Sequence, residues 1–94
     1  MKIPNQIKIG AHDVEVRLVN ADEISDGDMG QSFQPANLIK LCNGYPKSQV
    51  EESLLHEIVE NVNSTHELNM EHRVIQSLSA CLYQVLRDNK LRFY

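Results

Sequence analysis

The chain has 94 residues, 41% of them hydrophobic, and a formal net charge of -4. That length and apolar content suit one domain closed around a single modest core, and no repeat or low-complexity segment suggests an internal boundary. Nucleic acid is excluded as an expected ligand by the scattering of the nine Lys and Arg, and a membrane span by the absence of any apolar run near the roughly 20 residues it requires.

Residues 7 to 19 alternate apolar and polar on either side of Gly10-Ala-His-Asp13, which predicts a β-hairpin. From Asn20 to Gly30 the chain is acidic and glycine-containing with little to bury, the composition of a solvated, mobile loop. Its Asp22, Glu23, Asp26 and Asp28 lack the ordered ligand spacing of an EF-hand. Pro35-Ala-Asn37 then reads as a turn before a short strand, Leu38 to Leu41. Beyond Gly44-Tyr-Pro46, Ser48 and Glu51 have the form of a capping box opening a helix over about 48–64. Its Leu54, Leu55, Ile58, Val59 and Val62 fall in one arc at about 100° per residue, expected to face the sheet. Asn69 is placed to cap a second helix, about 70–88, with an arc of Val74, Ile75, Leu78, Leu82, Val85 and Leu86. The tail from Lys90 to Tyr94 is expected to fray or dock locally. Strands first and helices second make an α+β domain over 1–94, a small antiparallel sheet packed on two C-terminal helices.

The chemically suggestive residues lie in Leu54-Leu-His-Glu-Ile-Val-Glu60. His56 and Glu60 stand at i and i+4, neighbours on a helix, so an imidazole nitrogen and a carboxylate oxygen can converge on one ion. Glu57 then sits beside the ion, where a general base belongs. This copies the start of the His-Glu-x-x-His zinc motif but not its end, because Glu60 occupies the second histidine's position. His72, in the first turn of the second helix, is the candidate for the missing histidine, so that the two ligand types exchange carriers. His66, in the connection, is the second choice because a loop residue is less pre-organised. Ser79 and Tyr83 share a strip with His72 and are candidates to support it.

A bland reading fits the same residues. On the helical wheel His56 and Glu60 point about 150° from the apolar arc, which suits an open cleft and an idle solvated face equally. Cys42 and Cys81 form no Cys-x-x-Cys pair and read as reduced packing thiols of a soluble cytoplasmic protein. His12 belongs to a turn and carries no assigned role.

The run Ser53-Leu-Leu-His-Glu-Ile-Val-Glu-Asn-Val-Asn63, with Glu67-Leu-Asn-Met-Glu-His72 and Leu82-Tyr-Gln-Val-Leu-Arg-Asp-Asn89, resembles the short bacteriophage and prophage zinc-metallopeptidase-like proteins. The resemblance implies a minimal zincin-like fold, zinc held by His56, Glu60 and His72, and Glu57 acting on metal-bound water that attacks a peptide carbonyl. It also implies a protein or peptide partner, held along an edge strand for which Leu38 to Leu41 is the candidate, and a host-cytoplasmic setting. Two functions follow. One is a metal-dependent peptide hydrolase; the other is a non-catalytic phage accessory or interaction module on a degenerate zincin scaffold. Convergence of His56, Glu60 and His72 in space favours the first, divergence the second.

Overall fold

The computed structural model describes residues 2–25 and 27–91. Asp26 of the acidic loop and the last three residues of the expected fraying tail lie outside them.

The hairpin forms as its alternation predicts: β1 (Gln6–Ile9) pairs antiparallel with β2 (His12–Val19), with Ile7 opposite Val14. Gly10 makes the turn with a positive φ of 61°. After a single 3-10 turn at Ala21–Glu23, the chain forms β3 (Gly30–Phe33), then a second 3-10 turn at Gln34–Ala36 closed by left-handed Asn37, and β4 (Leu38–Cys42). The sheet order is β1-β2-β4-β3. β4 runs parallel to β2 and antiparallel to β3.

The sheet is therefore mixed instead of wholly antiparallel. The segment after β2 is long enough for a crossover, so the chain lays β3 on the outside first and returns β4 into the gap beside β2. A second expectation changes with it: Leu38 to Leu41 is not an edge, because β4 is flanked on both sides. The free edge on that side of the sheet belongs to β3.

Helix α1 (Lys47–Thr65) covers one face of the sheet, and α2 (His72–Asp88) packs on α1. The main core joins Val14, Val16, Ile39 and Leu41 of the sheet to Val50 and Leu54 of α1, with Ile3, Ile7, Ile9 and Ile58 around it. A smaller cluster gathers Val19, Ile24 and Cys42, so the acidic loop does have something to bury. Val19 and Cys42 are register partners on the sheet's other face, and Ile24 folds over them. Among the described residues no helix is long and apolar enough to cross a membrane.

Neither helix begins as the sequence suggested. The N-cap of α1 is Pro46, with no side-chain cap, because Glu51 is buried and accepts a hydrogen bond from Tyr83 (2.5 Å) instead of completing a capping box with Ser48. The N-cap of α2 is Glu71, and Asn69 takes a left-handed φ of 56° in the turn before it. The apolar arc of α1 is also divided. Val50 and Leu54 face the sheet, while Glu57 and Asn61 are buried on the same helix.

Candidate metal centre

His56 and Glu60 project from α1 one turn apart, and His72 opens α2. What brings the third residue over the first two is the short connection between the helices. Glu67 and Asn69 both adopt left-handed backbone, φ 52° and 56°, which reverses the chain in a few residues. Asn63 holds that reversal from both of its acceptors: its carbonyl takes the Leu68 N–H at 3.0 Å and its side-chain oxygen takes the Met70 N–H at 2.9 Å. The polar residues that weaken the end of α1 thus fasten the turn into α2.

As a result the Glu60 Oε2 atom lies 3.5 Å from His56 Nε2 and 3.7 Å from His72 Nδ1. The two imidazole rings stand edge to face with centroids 5.2 Å apart. One donor atom from each of the three residues lies within 4.8 Å of the other two, and the group could hold a metal ion. Ligands at about 2.0–2.1 Å from a tetrahedral ion lie roughly 3.3–3.5 Å apart. Both distances to Glu60 are within a few tenths of that. The His72 side chain is exposed and has room to adjust, while His56 and Glu60 are half-buried and better fixed. Two neutral nitrogens and one carboxylate suit a borderline cation such as zinc better than a hard one such as calcium.

Glu57 is the buried member of the motif. It lines a cleft of about 370 Å³ together with His56, Glu60 and Ser64 of α1, Asp28 of the acidic loop, and the whole of β3. Burial, reinforced by the negative charges of Glu60 and Asp28, pushes its carboxyl up to about 7. A carboxylate can sit there because β3 starts with a glycine. A Cβ on Gly30 would lie 2.7 Å from the Ser53 hydroxyl oxygen, 3.0 Å from Glu57 Cγ and 3.2 Å from Glu57 Oε2. The missing side chain is what lets the strand edge approach α1 this closely. Further along, Asn61 donates to Ser32 Oγ (3.4 Å) and Gln34 donates to the Asn61 carbonyl (3.1 Å), so polar contacts clamp helix to strand.

The remaining candidates fall elsewhere. His66 is the C-cap of α1, exposed, and outside the converging group. Ser79 returns its hydroxyl to the Ile75 carbonyl (2.8 Å), and Tyr83 bonds Glu51, so neither supports His72. His12 is exposed at the start of β2. Cys42 is buried in the small cluster, whereas Cys81 is exposed on α2 instead of packing inside. Three contributors escaped the sequence: Gly30, Asp28 and the β3 edge. The one available signal was Gly30 itself, an isolated glycine ahead of a short strand.

Comparison with protein families, with curated proteins and with solved structures finds no match for this chain.

Proposed function

We propose that His56, Glu60 and His72 bind a single zinc ion and that Glu57 acts beside it as general base in the hydrolysis of a peptide bond. The observation that carries this reading is the convergence of the three donors from two helices, with Glu60 within 3.7 Å of both histidines. An i, i+4 pair alone is common on solvated helices; a third donor delivered across a tertiary contact is not required by either helix. Bound at this position, zinc would supply Lewis acidity toward a carbonyl oxygen and lower the pKa of a water.

The chain's own residues do the rest. Glu57, held near neutrality by burial, can take a proton and return it at physiological pH. The outer edge of β3 lines the same cleft and offers backbone groups to an extended peptide, which is how such a substrate would be laid across the site. The resemblance to phage zincin-like proteins, carried by the same residues, supports peptide as the substrate class and a phage setting for the protein.

The test is to strip the protein with a chelator and titrate in Co²⁺, whose visible absorption reports coordination geometry. A one-to-one tetrahedral spectrum displaced by Zn²⁺, lost in His56→Ala and in His72→Ala, supports the site. Hydrolysis of a peptide mixture by the zinc form, abolished in Glu57→Gln while cobalt still binds, supports the activity. Failure to bind either metal overturns both and leaves an interaction module on the same scaffold.

A further inference from the structure

The cleft beside the metal centre has two unlike ends. Gly30 stands against Ser53 and Glu57, and Ser32 and Gln34 stand against Asn61, so β3 and α1 run the same way along it. One end holds Asp28 and Glu57; the other holds Gln34 and Ser64, which are polar and uncharged. Among the described residues no Lys or Arg lines any part of it. Lys40, the register partner of Gln31, is turned to the Glu23 carbonyl (3.2 Å) and the Phe33 ring and does not line the cleft.

The charged end lacks donors. Glu57 is only 7% exposed and lines the cleft, yet no described residue gives its carboxyl a hydrogen bond or an ion pair. Asp28 is exposed, and among the described residues its carboxylate accepts a single long hydrogen bond, from Gln31 (3.4 Å), and meets no cation. Its charge reaches Glu57 and helps to raise that carboxyl. Buried acceptors are ordinarily satisfied, so this end is shaped for donors that a ligand brings. A dication on His56, Glu60 and His72 would offset Glu60 and one further carboxylate, and negative charge would remain at the Asp28 end.

We propose that the cleft selects a peptide carrying a lysine or arginine side chain at the Asp28 end, and that Asp28 is the residue that reads it. The inference rests on the reading of the cleft as a peptide site. A strand added to the outer edge of β3 points alternate side chains to the face that Gly30 and Ser32 turn toward α1, so the residue opposite Gly30 extends its side chain beside Glu57 at the acidic end. A long basic side chain brings several N–H donors to carboxylates that have almost none. An acidic one is repelled, and an apolar one leaves them unpaired. Because the other end of the cleft is uncharged, the preference falls on one side of the bound peptide only.

Fluorescence anisotropy tests this with two end-labelled peptides of alanine and serine, identical except for a central arginine or its neutral isostere citrulline. Chelator-stripped wild-type protein is used, so that nothing is cleaved. The arginine peptide should bind about fivefold more tightly at low salt, as for an exposed ion pair, and the preference should shrink as salt is raised. Asp28→Asn should make the two peptides equal, and Asp28→Lys should turn the preference against arginine. Glu15→Gln, which removes a charge from an exposed position on β2 outside the cleft, should leave it intact. Equal binding of the two peptides, binding of neither, or a preference that survives Asp28→Asn overturns the inference. The hydrolase reading fails separately: without metal binding, an arginine preference lost in Asp28→Asn would still stand. Conversely, zinc-dependent hydrolysis whose products show no basic residue on one side of the cut bonds sinks this inference and leaves that reading in place.

Discussion

Glu60 on α1 and His72 on α2 place a carboxylate oxygen and an imidazole nitrogen 3.7 Å apart, although twelve positions of chain separate them. If the two residues have exchanged the roles they hold in a His-Glu-x-x-His motif, exchanging them back should be tolerated. The double variant Glu60→His/His72→Glu is expected to retain zinc affinity within about tenfold, whereas His72→Ala loses one of three protein ligands and at least about a hundredfold. Competition against a chromophoric chelator measures both.

Zinc should also stabilise the fold. A ligand at a hundred times its dissociation constant adds about 2.7 kcal/mol to a protein that binds it only when folded. In a domain of this size that is a rise in melting temperature on the order of 10–20 °C. Thermal unfolding with zinc and with chelator should differ by that much in the wild type and by almost nothing in His56→Ala.

The carboxyl of Glu57 is raised to about 7, above its ordinary 4.5, so the folded protein holds this proton more tightly than the unfolded chain does. The metal-free protein consequently loses stability as pH rises from about 4.5 through 7, and the loss is complete above that. Glu57→Gln removes the dependence. It should match the wild type near pH 4 and exceed it near pH 8, by at most about 3 kcal/mol, in urea unfolding followed by circular dichroism.

Gly30→Ala should push Glu57 and Ser53 away from the strand. We expect a loss of about 1–3 kcal/mol in stability, as for overpacking elsewhere, together with weaker metal binding as α1 shifts. Ser53→Ala removes the nearest atom, the hydroxyl at 2.7 Å, and should recover part of both. Recovery in the double variant distinguishes a local clash from general damage to β3.

Tyr83→Phe deletes the hydroxyl that donates to buried Glu51 and is expected to cost about 1–3 kcal/mol. Combining it with Glu51→Gln should cost less than the sum of the two singles, because the residues share one bond. Metal affinity should hardly change in Tyr83→Phe, since the pair lies away from His72.

The readable parts of this chain were those with strong local periodicity. The alternation of residues 7 to 19 is the hairpin, and Lys47–Thr65 and His72–Asp88 match the two expected helices within two residues at each end. His56 and Glu60 were legible because a helix fixes their spacing. His72 was legible only as a guess about ligand chemistry, since its approach depends on the left-handed Glu67 and Asn69. What stayed hidden is non-local: the order in which β3 and β4 join the sheet, and the burial of Glu57 on a face that a helical wheel marks as polar. No periodicity in residues 20 to 30 could show that Gly30 would pass within a van der Waals contact of a helix far along the chain.

Helix α2 packs chiefly on α1 and contributes no residue to the Val14, Val16, Ile39, Leu41, Val50 and Leu54 core. A helix placed so is expected to open as a unit of the kind that amide exchange resolves. In the metal-free protein its amides should exchange long before those of β2 and β4. A bond from Glu60 to His72 through an ion would close a short loop across the hinge, much as a cross-link does, and its grip would be entropic as well as chemical. The same hinge that assembles the site would then be the last part of the domain to settle and the first to report whether the site is filled.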